Sequence, residues 1–272
     1  MENVREEKEQ SKGLQIVKKL ASRWFIDAFS GMAQGLFCTL IAGTILAMFA
    51  GWIGDNFVGK SLLTIANFAK TLMGAGIGVG IANALKRGKL VMFSAAVAGF
   101  VGAFADKIIA LNATLTLGMC GNPIGAYVVA LFAIEIVSLY AGKTKLDILI
   151  VPLGTLVLCF AGCYLAFPFI WLIQRLGLII SKATAITPFF MGIIISVVMG
   201  VLLTMPTSSA AIWISVASGI TDDAMLIAGG AAVVGCSCHM IGFAVASFRE
   251  NGVSGLISQG IGTSMLQIPN IM

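Results

Sequence analysis

Residues 148–172 read ILIVPLGTLVLCFAGCYLAFPFIWL, twenty-five consecutive positions without a charged side chain. As a helix rising about 1.5 Å per residue, the stretch reaches about 37 Å, enough to cross the roughly 30 Å hydrocarbon layer of a bilayer. Its apolar residues are continuous rather than alternating, so it does not read as a barrel strand of about ten residues with one polar face. Similar runs lie near 31–53, 62–84, 90–111, 122–141, 184–205 and 224–247, and a broken region falls at 206–222. The composition agrees. The chain is 58% hydrophobic and 11% charged, with a mean hydropathy of +1.00. Soluble domains carry about a quarter charged residues, because a folded chain in water needs a polar skin. The reading is an all-α, polytopic transmembrane helical bundle with a re-entrant or broken-helix segment. Residues 1–30 form a cytoplasmic N-terminus with an interfacial helix, and residues 31–272 form one transmembrane domain of about seven to nine membrane segments.

Charge sets the expected orientation. Six of the seventeen basic residues precede residue 24, and two further groups sit in short loops: Lys86, Arg87 and Lys89, then Lys143 and Lys145. Basic loops stay in the cytoplasm, so the N-terminus and loops 85–89 and 142–147 are expected there. Asp55 with Lys60, and Arg175 with Lys182, fall to outside loops. The helix near Lys107 is expected to end near Phe104. A net charge of +5 dispersed in this way controls topology and does not build a nucleic-acid groove. The first twenty residues are charged throughout and are not expected to be a cleaved signal peptide. From Val17, apolar residues recur at helical spacing opposite Lys18, Lys19, Arg23 and Asp27. That pattern suits an amphipathic helix in the membrane interface, or one packed on the loops. The six cysteines lie within or beside apolar runs and read as small buried hydrophobes.

Polar groups inside a membrane are costly, so those that remain carry the functional hypotheses. Gly121-Asn122-Pro123-Ile124-Gly125 opens the span that holds Glu135. Glu135 has three readings: hydrogen bonds to a hydroxylated substrate, proton carriage, or pairing with a lysine such as Lys70. Thr204 to Ala211 (TMPTSSAA) places Pro206 before the hydroxyls Thr207, Ser208 and Ser209. Proline ends one helix and the hydroxyls can cap another. The result is either a re-entrant segment lining a cavity or an ordinary kinked helix. Gly219 to Asp223 (GITDD) offers Thr221 and Asp222. Gly235 to His239 (GCSCH) holds the sole histidine, His239, as a ligand contact or a packing residue. Cys236-x-Cys238-His239 lacks standard zinc spacing, so no metal or other cofactor is expected. Gly74 to Gly80 (GAGIGVG) has no Lys-Ser/Thr ending and reads as helix packing rather than a nucleotide loop.

The stretches GNPIGAYVVAL (121–131), PTSSAAI (206–212) and GFAVASFRENGVSGLISQGIGTSMLQIPN (242–270) resemble the enzyme IIC-like membrane family of the bacterial sugar phosphotransferase system. Within it, they are most similar to the branch that includes regulators of the perfringolysin toxin. The resemblance implies a multi-pass protein of a bacterial cytoplasmic membrane. It implies a sugar-translocating subunit, usually a homodimer, working with separate IIA and IIB phosphocarriers. A Gly-Ile-Thr-Glu motif in such proteins contacts the sugar; Gly219-Ile220-Thr221-Asp222 is similar, with the shorter Asp in place of Glu. Some members place a membrane histidine near the sugar, as His239 would be. Relatives generally continue past the Gln-Ile-Pro-Asn stretch, so the C-terminal end reads as short for the family.

The expected function is therefore a permease subunit for a sugar or sugar-like solute. The residues expected to contact it are Asn122, Glu135, Thr207, Ser208, Ser209, Thr221, Asp222 and His239. The chain has no phosphocarrier residue and would be at most the membrane component of a phosphotransferase. Its partners would be the solute, the bilayer, a second copy, and the IIA and IIB proteins. The alternatives are an uncoupled small-solute transporter of the same fold, or a membrane regulator or sensor of gene expression.

Overall fold

A computed structural model describes residues 19–111, 115–203, 209–217 and 220–262. Among these, every regular element is helical. Four helices are long and apolar enough to cross a membrane: α1 (Lys19–Ile53), α6 (Pro123–Tyr140), α7 (Asp147–Ile186) and α10 (Asp223–Ala246). Helices α2 (Phe57–Thr71) and α3 (Met73–Ala84) are long and apolar enough only as a bent pair, a broken span or a re-entrant loop, and α4 (Lys89–Ala103) and α8 (Pro188–Leu202) are shorter apolar helices. The short α5 (Ala105–Ile109), α9 (Ser209–Ala217) and α11 (Phe248–Ile257), with a π-helical turn at Ser258–Gly262, complete the helices among the described residues. The protein is a multi-pass helical membrane protein. Two compact units divide it, residues 1–166 and 167–272.

Glycine decides the packing of the first unit. A Cβ at Gly35 would stand 2.1 Å from the Gly76 carbonyl oxygen, and one at Gly31 would stand 2.4 Å from that of Gly80. On the other side of α3, a Cβ at Gly78 would meet the Ala95 carbonyl oxygen at 1.9 Å, and one at Gly99 would meet that of Gly74 at 2.2 Å. The Gly74–Gly80 run therefore presents alternate glycines to α1 and to α4. Lipid gives helices no hydrophobic reason to associate, so close backbone approach and the dispersion it allows must do so.

Four boundaries differ from the sequence reading. The expected interfacial helix and first span are one unbroken helical run, α1, with wide π turns at Arg23–Ala28 and Phe37–Ile41. Its start packs on α6: the Tyr127 hydroxyl donates to the Trp24 carbonyl at 2.6 Å, and the Tyr127 ring lies 4.6 Å from that of Phe29. The span expected near 62–84 is bent by 51° between α2 and α3. At the bend Leu72 leaves helical geometry, and Thr71 Oγ accepts the Gly118 N–H at 2.8 Å from the 115–122 loop. Arg175 and Lys182, assigned to an outside loop, lie inside α7. The Arg175 guanidinium sits 5.2 Å over the Trp171 ring one turn back. That stacking gives the charge a partner without ending the helix. The chain breaks instead at Pro188, which cannot continue the ladder and opens α8. Helix α4 does end at Ala103, with Phe104 as its C-cap.

In the second unit α8 packs on α10 through Ile195, Met199, Met225, Ala228 and Ala232. Helix α9 has nine residues, about 13 Å, too short to cross hydrocarbon. Residues 204–208 and 218–219 of the expected re-entrant segment lie outside the described residues.

Candidate functional site

The eight sequence-expected residues fall into separate places. Asn122 caps α6. Its Oδ1 accepts the N–H groups of Ile124 at 2.9 Å and Gly125 at 3.2 Å, and its backbone N–H donates to the Ala103 carbonyl at 2.7 Å. Pro123 at the first helical position needs no acceptor, so this one side chain satisfies the helix start. Gly121 precedes it at φ +68°, where a side chain is disfavoured, and its missing Cβ would stand 2.6 Å from the Ala103 carbonyl oxygen. Asn122 is 4% exposed, and its Nδ2 has no partner among the described residues.

Glu135, twelve positions into α6, is held by arginines rather than by Lys70. Arg87 donates to its Oε2 at 3.1 Å, and Arg23 stands 3.1 Å from its Oε1. The second contact lies at ion-pair distance without hydrogen-bond alignment, so Oε1 counts as unbonded despite the nearby charge. The sequence offered Arg87 only as a loop charge and Arg23 only as a polar face. Nothing in their spacing links residues 23, 87 and 135, which only the packing of α1, α3 and α6 brings together.

The second unit holds two groups. Ser209 opens α9, is buried, and lies within hydrogen-bonding reach of the Cys236 thiol on α10. That thiol also points at the Met199 carbonyl, 3.8 Å away at the end of α8. One turn on, the His239 ring lies 4.5 Å from that of Phe243, and the His239 Cβ faces Gly200. Ser209 and the GCSCH segment thus meet near the middle of α10. Thr207 and Ser208 lie outside the described residues.

The other group sits at the start of α10. Asp222 is the N-cap: its Oδ1 accepts the Met225 N–H at 2.9 Å, and its Oδ2 accepts the Ser181 hydroxyl of α7. These donors, the Ser181 hydroxyl foremost and the Met225 N–H next, hold its carboxyl below the ordinary range. Thr221 beside it is exposed. Seventeen residues separate Asp222 from His239, about 25 Å along a helix. A single monosaccharide therefore cannot touch both. The sequence motif marked Asp222, but gave no sign that Ser181 would bind it.

The arrangement offers a hydroxyl, a thiol and an imidazole at mid-depth of a membrane helix, which suits hydrogen bonding to a polyhydroxylated solute. Comparison with curated proteins and with solved structures gives no match. A family model described as "Phosphotransferase system, EIIC" matches residues 26–272, so nearly every helix described above falls within it. With that match over most of its length and a bundle of apolar helices, the chain belongs to the phosphotransferase system EIIC family.

Proposed function

We propose that this membrane component of a sugar phosphotransferase system passes its sugar at the middle of α10, beside Ser209 and His239. Separate IIA and IIB proteins deliver the phosphoryl group. The observation that carries the reading is the meeting of Ser209 with Cys236, one turn from His239, in a member of the EIIC family. Cys236 is fourteen residues into a helix about 36 Å long, which is close to its midpoint. Transporters hold their substrates near that depth, where polar groups can be shielded from lipid. Thr207 and Ser208 adjoin this group in sequence and are proposed to extend it.

Thr221 and Asp222, with Ser181, would act at the end of the helix, as an entry or exit contact for the same hydroxylated solute. Asn122 is proposed as a sugar contact because its Nδ2 donor is left open. Glu135 is flanked by two arginines, so its proposed part is to hold α1 and the 85–89 loop in place, with Oε1 left as the acceptor for a sugar hydroxyl. The working form is a homodimer with a cytoplasmic N-terminus.

Uptake of labelled hexoses and polyols into proteoliposomes, with and without phosphorylated IIB, tests this. At least one sugar should accumulate as its phosphate only when phosphorylated IIB is present. Ser209→Ala and His239→Gln should each raise half-saturation about tenfold, the loss expected for one hydrogen bond to substrate left unmade. Uptake that ignores IIB would refute the coupling. Parental kinetics in both variants would refute the site.

A further inference from the structure

The two basic loops meet. The loop after α3 and the loop after α6 line one cavity of about 380 Å³, with Lys86, Arg87 and Lys89 on one wall and Ser138 and Asp147 on the other. Cavities of this size hold small ligands. Three of its features point to an anion.

The charge is one-sided. Asp147 is the single acid on the wall, and its carboxylate is already taken by the Gly142 N–H and by the N–H and hydroxyl of Thr144. Arg87 gives one nitrogen to Glu135, while its Nε has no partner among the described residues. Lys86 and Lys89 form no ion pair among the described residues. The second feature is backbone. Helix α4 begins here, with fifteen residues behind its first N–H groups, and Gly88 at its N-cap supplies no side-chain acceptor. Open N–H groups with the positive end of the helix dipole favour an anion.

The third feature is strain. Lys86 and Arg87 close α3 by donating to the carbonyls of Asn83 and Ala82, a Schellman turn. The turn's left-handed residue is Lys86, at φ +53°, where glycine is usual. A lysine at that position costs backbone energy, and its side chain adds no ion pair to the turn among the described residues.

We propose that this cavity binds a phosphate-bearing anion, its oxygens held by Lys86, Lys89 and the first N–H groups of α4. The group is either a soluble phosphate monoester or the headgroup of an anionic phospholipid. The inference goes beyond the transport reading and does not use the α10 residues.

The test uses the full chain. In neutral detergent micelles, thermal unfolding is followed while inorganic phosphate or a hexose 6-phosphate is titrated at constant ionic strength. In parallel, the protein is placed in phosphatidylcholine nanodiscs with increasing phosphatidylglycerol. At least one phosphate-bearing probe should stabilise the protein saturably. Lys89→Gln and Lys86→Gly should each weaken that response about tenfold, and Lys60→Gln, remote from the cavity, should not. Lys86→Gly relieves the turn, so it should unfold no lower than the parent without ligand. Saturation by the soluble probes alone identifies a monoester, and saturation by phosphatidylglycerol alone identifies the headgroup. The proposal is overturned if no probe saturates, or if Lys60→Gln weakens the response as much as the cavity variants. Sugar uptake is not a readout, so this failure is distinct from failure of the transport reading.

Discussion

Replacing Glu135 by Gln removes one negative charge between two arginines while keeping volume and one acceptor. Both pairs close at 3.1 Å, and the side chains are 33% and 23% exposed in the Arg23 pair and 22% and 23% in the Arg87 pair. Exposed ion pairs contribute about 0.2–1 kcal/mol, and breaking a buried one costs about 3–5 kcal/mol. Groups roughly three-quarters buried fall between these limits, so the substitution should destabilise the first unit by about 2 kcal/mol. The loss divides unequally. Arg87 makes an aligned charge-assisted hydrogen bond and should carry most of it; Arg23 supplies charge without alignment. The assay is unfolding of the parent, Glu135→Gln, Arg87→Gln and the double variant in the same micelles. The cycle should give about 1–2 kcal/mol of coupling. Raising the salt from low to high ionic strength should narrow the difference, since partly exposed charges are screened. Stability within about 0.3 kcal/mol of the parent, with additive single variants, would refute the anchoring role. Loss of sugar binding with stability intact would make Glu135 a contact instead.

Three further outcomes follow from the geometry. Gly78→Ala should cost about 3 kcal/mol, since its Cβ meets backbone at 1.9 Å. Gly51→Ala, which meets nothing within 4 Å inside α1, should stabilise by up to about 1 kcal/mol, and equal effects in thermal unfolding would sink the packing argument. Because the Asp222 carboxyl is depressed, its capping contribution is complete above the ordinary carboxylate pKa and is lost as pH falls through the lower folded value. Acid titration followed by circular dichroism should therefore lower the unfolding midpoint less in Asp222→Asn than in the parent, and identical acid sensitivity would count against the cap. Lys143→Cys should resist impermeant thiol reagents applied outside intact cells, and efficient labelling there would reverse the orientation.

Some of this was written in local sequence. A run such as residues 148–172 needs no tertiary information to be a membrane helix, because lipid accepts only segments that bond their own backbone. The Asn122-Pro123 start of α6 was legible as a motif for the same reason: a cap and its helix are neighbours in the chain. Gly74–Gly80 could be read as a packing run, although not which glycine faced which helix. Thr207 and Ser208 lie outside the described residues, so their place in the site rests on sequence.

Long-range partners were not legible. The break expected at 206–222 falls partly on residues outside the described ones, while the bend between Thr71 and Met73, where no proline stands and a loop residue, Gly118, bonds the helix, was not expected. Glu135 was weighed against Lys70, and the fold supplied Arg23 and Arg87. Arg175 looked like a loop residue, yet it lies inside a helix of forty residues, over the ring of Trp171. The physical reason is common to these cases. Burial and helical period are properties of a segment, so sequence determined that the chain crosses the membrane and roughly where. Pairing of a charge or a hydroxyl is a property of whichever helix arrives beside it. Asp222 with Ser181, Ser209 with Cys236 and the meeting of the two basic loops were therefore decided only by tertiary structure.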